Sequence, residues 1–562
     1  MGFRRRIAVS GLCAAWLVAC ARDGDATSAT PSSAPPLPSL STPNVVVGAT
    51  VGTAITVDAT QGGRVFSDPA GSGMSYAVTL SGQTAGLTTS GGVIRGTPSA
   101  PGLTIVRIVG TDALGRSVSD QFAIVVFEAG LALPILPATP FRYADADVPL
   151  PPHFAAVVSG QSVVGGDNTP SGNAITNAGA TLGRVLFFDP RLSANDRTSC
   201  GACHLPAISY SDATQFSVGF AGALTSRHAP ALVNARFYRR GKFFWDERAA
   251  TLEDQVLGPI QNAGEMGMTL DALEYKLTAT TYYKSLFTAA FGTADITRAR
   301  IAAALAQYVR AMVSGGSRYD RAFAANGIPD FTPVLTANEQ AGEQLFRSAG
   351  CTACHVTLAQ VSDSVHNTGL DAVATDSGAG NGAFKSPSLR NVGVRTKFMH
   401  DGRFSSLDEV VEFYNAGVQA NPFLDARLKA PDGSPRRLGF SAAQKSSLVA
   451  FLKSLTDTAF LTAPRFANPF VAPVVAPPPA AAVTIQSNSY TPSTLTVGPG
   501  TVVAFTNLDN SRHSAQFDAA QIASTPIFTS GTQPVIMPAA AGTYTYHCAI
   551  HGQAMQGAVV VR

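Results

Sequence analysis

The residues with the most chemical capacity are two short repeats, Cys200-Gly201-Ala202-Cys203-His204 and Cys351-Thr352-Ala353-Cys354-His355. Each is a C-x-x-C-H. Two thiols at that spacing are alkylated by the two vinyl groups of one haem, and the next residue then lies under the iron as proximal ligand. A zinc site made of cysteines alone needs four thiolates, and a thioredoxin-type pair needs no His after its second Cys. The repeats therefore point to two covalently attached haem c groups, on Cys200, Cys203 and His204 and on Cys351, Cys354 and His355. A third constellation ends the chain: His513, then Cys548, His551 and Met555. Two imidazoles and a thiolate in a plane, with a weak axial thioether, are what one type 1 copper requires. His547 precedes Cys548, so on a strand it points to the opposite face.

A chain of 562 residues is too long for one core, and three or four domains are expected. The net charge of +3 is nearly balanced and the basic residues are scattered, which leaves no case for nucleic acid. The haems and copper use five of the seven cysteines, and Cys13 and Cys20 lie in a leader, so none remains for a disulfide. In that leader Arg4-Arg5-Arg6 precedes an apolar run, Ile7 to Ala19, too short to span a bilayer. It closes on Leu17-Val18-Ala19-Cys20, which resembles a bacterial lipobox. That resemblance implies a lipidated Cys20 and an exported product, periplasmic or at the cell surface, anchored to a bacterial membrane.

Composition divides the remainder. Residues 21–44 read as a flexible tether after a signal peptide of 1–20. Residues 45–128 alternate short β-rich runs with Gly, Ser, Asp and Pro clusters, the spacing of an antiparallel β-sandwich. The segments Gly92-Val93-Ile94-Arg95-Gly96-Thr97-Pro98 and Gly110-Thr111-Asp112 resemble immunoglobulin/cadherin-like domains of bacterial surface proteins, which implies a spacer or docking module. Helical patterning then covers a first haem lobe, 131–330, and a second, 331–460. Ile301, Leu305, Val309 and Met312 repeat at helical spacing with Gly315 as the expected stop. Capping boxes open helices at Thr336 to Glu339, Ser406 to Glu409 and Ser441 to Gln444. A Pro-rich linker, 461–482, leads to a second β-domain, 483–562. The fold class is thus multidomain: a mainly α, two-lobed di-haem cytochrome c core flanked by two β-sandwich domains.

Several further motifs make the helical region resemble the di-haem cytochrome c peroxidase/MauG family. They are Phe244-Trp245-Asp246-Glu247-Arg248-Ala249, Gln255 with Pro259, and Glu265-Met266-Gly267 in the first lobe. In the second they are Phe384-Lys385-Ser386-Pro387-Ser388-Leu389-Arg390-Asn391-Val392 and Met399-His400-Asp401-Gly402-Arg403-Phe404. The C-terminal domain resembles cupredoxins, plastocyanin and its relatives, through Pro492-Ser493-Thr494-Leu495-Thr496-Val497 and Met555-Gln556-Gly557 as well as its ligands.

The resemblance implies a division of labour. The His204 haem becomes the peroxide site, with Glu265 as acid/base carboxylate, Gln255 and Pro259 beside it, and Trp245 as the electron route between haems. The His355 haem becomes the electron-transfer centre, with His400 near it. Peroxidases of the family supply a Met as its second ligand and MauG-like members a Tyr. That slot here is Tyr414, on the same helical stripe as Leu407, Val410 and Val411, and Met399 is the competing candidate. Two departures stand out. The family's distal His is missing: between Leu205 and Lys242 the only histidine is His228, which stands in the family's Asn-Ala-Pro element as Arg227-His228-Ala229-Pro230 and is expected to bond locally rather than bind another metal. Because that Asn helps bind a calcium between the lobes, calcium is in question here. The implied activity is hydrogen peroxide reduction, with electrons from a donor protein (a small cytochrome c or cupredoxin) or through the copper domain. The alternatives are MauG-like oxidation of a partner protein and a non-enzymatic electron relay.

Overall fold

The computed structural model describes residues 36–562 apart from 129, 362–363, 471–480, 510, 520–521, 523 and 539. The leader, Cys20, most of the tether and the Pro477-Pro478-Pro479 run lie outside the described residues. Among those described, no helix is long and apolar enough to cross a membrane.

The chain divides into two compact units, the first ending at Ile124. That unit is β-rich. Its four-stranded sheet runs in the order Val47–Thr50, Ser117–Phe127, Gly102–Asp112, Met74–Gly82, and a three-stranded sheet runs Ile55–Asp58, Val93–Gly96, Leu87–Ser90. The β-rich runs of this region lie in its strands: Ile55 to Val57, Tyr76 to Leu80, Thr104 to Val109 and Phe122 to Val126. One expectation fails: Ser39–Leu40, assigned to the tether, pairs with Phe66–Ser67, and the amides of Ser41 and Thr42 both reach the Val65 carbonyl.

In the second unit the two lobes are built alike. A helix, Asn177–Phe188, runs into the first haem motif and crosses Arg298–Arg310 at Gly183. A β-carbon on Gly183 would lie 2.0 Å from the Ala304 carbonyl oxygen. The helix Ala337–Ser348 runs into the second motif and crosses Ala442–Ser454 at Gly342, where the same atom would lie 2.0 Å from the Ser447 carbonyl. Only glycine allows either approach. The aromatic ring on each leading helix then packs against the motif histidine, Phe187 at 6.4 Å from His204 and Phe346 at 6.3 Å from His355.

The expected capping boxes of Thr336 and Ser441 are both present and reciprocal. That of Ser406 is half made: Ser406 accepts from the Glu409 amide, but the Glu409 carboxylate takes the Ser405 amide instead. Gly315 is not a helix stop. The helix ends at Arg310 on an α-conformation cap, and Gly315 has room only for hydrogen, its β-carbon position lying 2.5 Å from Pro151 and 2.9 Å from the Phe154 ring. The helix expected to carry Tyr414 changes type before reaching it: Leu407–Glu412 is α, and Phe413–Gly417 is a π-turn. Such single wide turns insert a residue into a helix and re-aim the side chains that follow.

The C-terminal domain has two four-stranded sheets. One runs Ser489–Thr491, Ala481–Gln486, Val502–Asn507, Gly531–Ile536, and the other Thr494–Val497, Gly552–Val561, Gly542–Cys548, Gln516–Phe517. Between them Val483, Ile485, Val503, Phe505, Tyr546 and Val559 form the core.

Candidate haem and copper sites

A single-turn helix, Cys200–Cys203, places Cys203 and the following His204 on the wall of a cavity of about 530 Å³. His204 is fixed from behind: its Nδ1 lies 2.8 Å from the Tyr210 carbonyl oxygen. A proton on Nδ1 leaves Nε2 as the free lone pair, the arrangement that orients an imidazole for a metal. Burial holds the ring below its ordinary pKa, hence neutral. Burial also pushes the Cys200 thiol up to about 12, opposite to the low pKa of a redox C-x-x-C pair.

The same cavity is lined by Trp245, Gln255, Pro259 and Glu265. Gln255 and Pro259 lie on the helix Leu252–Gln261, whose N-cap is Thr251, and Glu265 is on the turn after it. Burial raises the Glu265 pKa, against the opposing pull of Arg248 and of Asn262, whose Nδ2 donates to Oε1 at 2.8 Å. The turn is braced from outside, since the Phe220 amide donates to the Glu265 carbonyl at 2.7 Å. Asn262 and Phe220 were not found by sequence reading, and Arg248 appeared there only within the Phe244 to Ala249 motif; Asn262 left a signal in standing three residues before the carboxylate.

A second cavity, about 220 Å³, is lined by Cys351, Cys354 and His355 together with Trp245, Met399, His400 and Tyr414. His355 Nδ1 faces the Gln360 carbonyl at 3.3 Å, and burial lowers its pKa to about 4. Cys351 is pushed up to about 11 by burial. Tyr414 is likewise raised, by burial and then by the neighbouring Cys354 and Cys351 thiols. Tyr414 and Met399 both reach this cavity. His400 stacks face to face on Phe384, centroids 3.6 Å apart.

Trp245 lines both cavities. It sits on a tight loop closed by the Phe243–Ala249 bridge, with Phe244 and Glu247 in the left-handed region. Its indole N–H donates to the His228 carbonyl at 2.7 Å, and the His228 amide donates to the His400 carbonyl at 2.8 Å. The His228 ring is engaged locally, Nε2 with Ser211 Oγ at 2.9 Å and Nδ1 3.2 Å from the carbonyls of Thr214 and Gln215.

In the C-terminal domain one ligand atom from each of His513, Cys548 and His551 lies within 4.8 Å of the others. Cys548 Sγ is 3.8 Å from His513 Nδ1, whose ring is held from behind by Asp509 and Ser511 on Nε2. His551 Nδ1 is buried with no hydrogen-bond partner. An orphaned nitrogen beside a buried thiol and a second imidazole fits a copper ion. Met555 is buried in the same core, and His547 turns outward to Asp518 at 3.0 Å.

Residues 177–327 match the family described as di-haem cytochrome c peroxidase, and residues 458–561 the cupredoxin-like domain. Methylamine utilization protein MauG of Methylorubrum extorquens is 36% identical over 309 residues, covering 53% of this chain and 83% of that protein. The chain belongs to the di-haem cytochrome c peroxidase/MauG family. Cytochrome c551 peroxidase of Nitrosomonas europaea is 30% identical over 289 residues, 49% of this chain and 79% of that one. A crystal structure of a MauG-like protein associated with microbial copper homeostasis aligns with 54% of this chain and 96% of its own at 30% identity and a TM-score of 0.48. This family member is therefore an oxidoreductase, with a helical di-haem peroxidase core between an N-terminal β-region and a cupredoxin-like domain.

Proposed function

We propose that the protein reduces hydrogen peroxide at a haem held by Cys200, Cys203 and His204, drawing electrons through a second haem on Cys351, Cys354 and His355. The observation that carries this is the asymmetry of the two cavities: a pKa-raised carboxylate, Glu265, faces the first, whereas the second offers Tyr414 and Met399. When bound, the haem supplies an open iron position for peroxide and the capacity to exchange electrons. Glu265 takes the proton from the near oxygen of peroxide and returns it to the leaving oxygen, a role favoured by a carboxylate whose pKa is drawn toward the working pH. Asn262 holds the carboxylate by one oxygen and leaves the other for substrate. Trp245 lines both cavities, and Tyr414 would help hold the second haem on the electron-transfer side.

The copper domain, through His513, Cys548, His551 and Met555, exchanges electrons with the core at the high effective concentration that a shared chain confers. Export and lipidation at Cys20 complete the reading, with covalent haem attachment as its chemical signature. A second reading, MauG-like oxidation of a partner protein, draws on Tyr414 and on His228, whose ring is committed to Ser211.

Stopped-flow mixing of the fully oxidised protein with stoichiometric peroxide separates the two. Reaction only after one-electron pre-reduction supports the peroxidase with a gated first haem. An immediate spectral change without added electrons favours the partner-oxidising reading. No reaction in either state leaves electron relay alone and overturns both.

A further inference from the structure

Between the two cavities lies a cation that neither reading uses. Lys385 is in the strand Phe384–Lys385, and its amide donates to the Trp245 carbonyl at 2.8 Å. Like Trp245, it lines both cavities. Its ammonium lies over the Tyr238 ring at 4.1 Å and the Phe243 ring at 4.5 Å, and it donates to the Lys242 carbonyl at 3.1 Å. Among the described residues no carboxylate lies within ion-pair distance of it. The charged and titratable groups facing it are few. Glu247 acts at a distance and is paired with Arg240 at 2.8 Å, and the Tyr238 hydroxyl is directed to the same Glu247. Val365, its partner across the strand pair, adds no charge.

We infer that Lys385 couples proton uptake to electron uptake at the two haems. The inference rests on both cavities holding haem, as proposed above. An electron entering either haem adds negative charge beside Lys385 and favours its ammonium form. A one-electron donor thus gives one electron to the haem iron, and Lys385 Nζ takes up to one proton from solvent. By linkage, a protonated Lys385 raises both reduction potentials and a neutral one lowers them. Burial holds Lys385 down to about 7, so the exchange falls near neutral pH. Peroxide reduction consumes protons with electrons, and a proton stored between the haems meets that requirement. Glu265 also titrates, but it faces the first cavity and not the second, so it bends one potential where Lys385 bends two.

The test is a spectroelectrochemical titration of the full chain across pH, with haem stoichiometry measured on the same samples. In the parent protein both potentials should fall with rising pH and bend at a common pH near neutrality. Lys385→Met should lower both and remove the common bend; Lys385→Arg should keep both high and remove it over the same range. Glu247→Gln should move the bend to lower pH, because an ammonium with one fewer negative neighbour loses its proton sooner. That variant also carries the test if the Met variant fails to fold. Pairs of potentials without a shared bend, or a bend that survives Lys385→Met, overturn the inference. Fewer than two haems per chain overturns the di-haem reading and the inference with it, and the stoichiometry distinguishes that case.

Discussion

The two haem cavities begin as copies and end as opposites. Each is entered by a helix with a glycine at its tightest crossing, Gly183 or Gly342, and each has a phenylalanine against the motif histidine. In each, the histidine Nδ1 faces a backbone carbonyl, that of Tyr210 or Gln360. The difference lies on the other wall. The first cavity meets a helix and turn bearing Gln255, Pro259 and Glu265; the second meets a π-turn and loop bearing Tyr414, Met399 and His400. A repeated sequence element thus builds one wall of each cavity, and unrepeated segments build the opposite walls, on which the proposed division of labour rests. The proximal walls differ in degree, 2.8 Å against 3.3 Å for the Nδ1 contact, whereas the opposite walls differ in kind.

The sharpest way to break that comparison is Glu265→Gln. A neutral amide keeps the shape but cannot carry the proton, so the rate of reaction with peroxide should drop about 10²- to 10⁴-fold, the usual worth of a positioned acid/base group. The spectrum and potential of the second haem should stay unchanged. A drop shared by both haems, or none, would show that the distal walls do not divide the work.

Tyr414→Met comes next in size. Replacing an anionic oxygen ligand by a thioether raises a haem potential, so the second haem should become easier to reduce while the first retains its binding of small ligands. Spectroelectrochemistry reads this directly. An unchanged second potential would hand the ligand position to Met399, which lines the same cavity.

Much of this was legible locally and little of it at range. The C-x-x-C-H repeats, the copper ligands and the Thr336 and Ser441 boxes are short-range patterns whose chemistry is set by spacing. Glu265 and Trp245 carried no spacing signal of their own and were legible only through the family motifs Glu265-Met266-Gly267 and Phe244 to Ala249; the chain then brings the first near Asn262 and the second against both cavities. The π-turn at Phe413–Gly417 was invisible because α-periodicity through Leu407, Val410 and Val411 gives no notice of where the turn widens. Lys385 was quoted within a motif, yet its cage of Tyr238 and Phe243 comes from a segment more than a hundred residues earlier. Gly315 misled because a glycine after an apolar stripe reads as a stop, whereas its actual constraint is contact with Pro151 and Phe154.

The smallest predicted effect concerns how the lobes yield to acid. Each has a buried histidine outside its haem motif. His366 in the second lobe lies 2.8 Å from the Asp425 carboxylate. His228 in the first lobe has Ser211 and two carbonyls, and burial, then the Arg395 charge, lowers its pKa to about 4. Folding therefore favours the neutral His228 ring. Its contribution is complete above the unfolded value near 6.5 and is lost as pH falls toward 4, roughly 2 kcal/mol by pH 5. Acid should then loosen the segment around His228, seen as proteolytic cleavage between residues 205 and 230 as pH falls toward 4. His228→Asn, which has no proton to gain, should remove that sensitivity. If the variant and the parent are cleaved there at the same pH, the acid sensitivity comes from another group, and Glu265, whose raised carboxyl gives the opposite sign, is not that group.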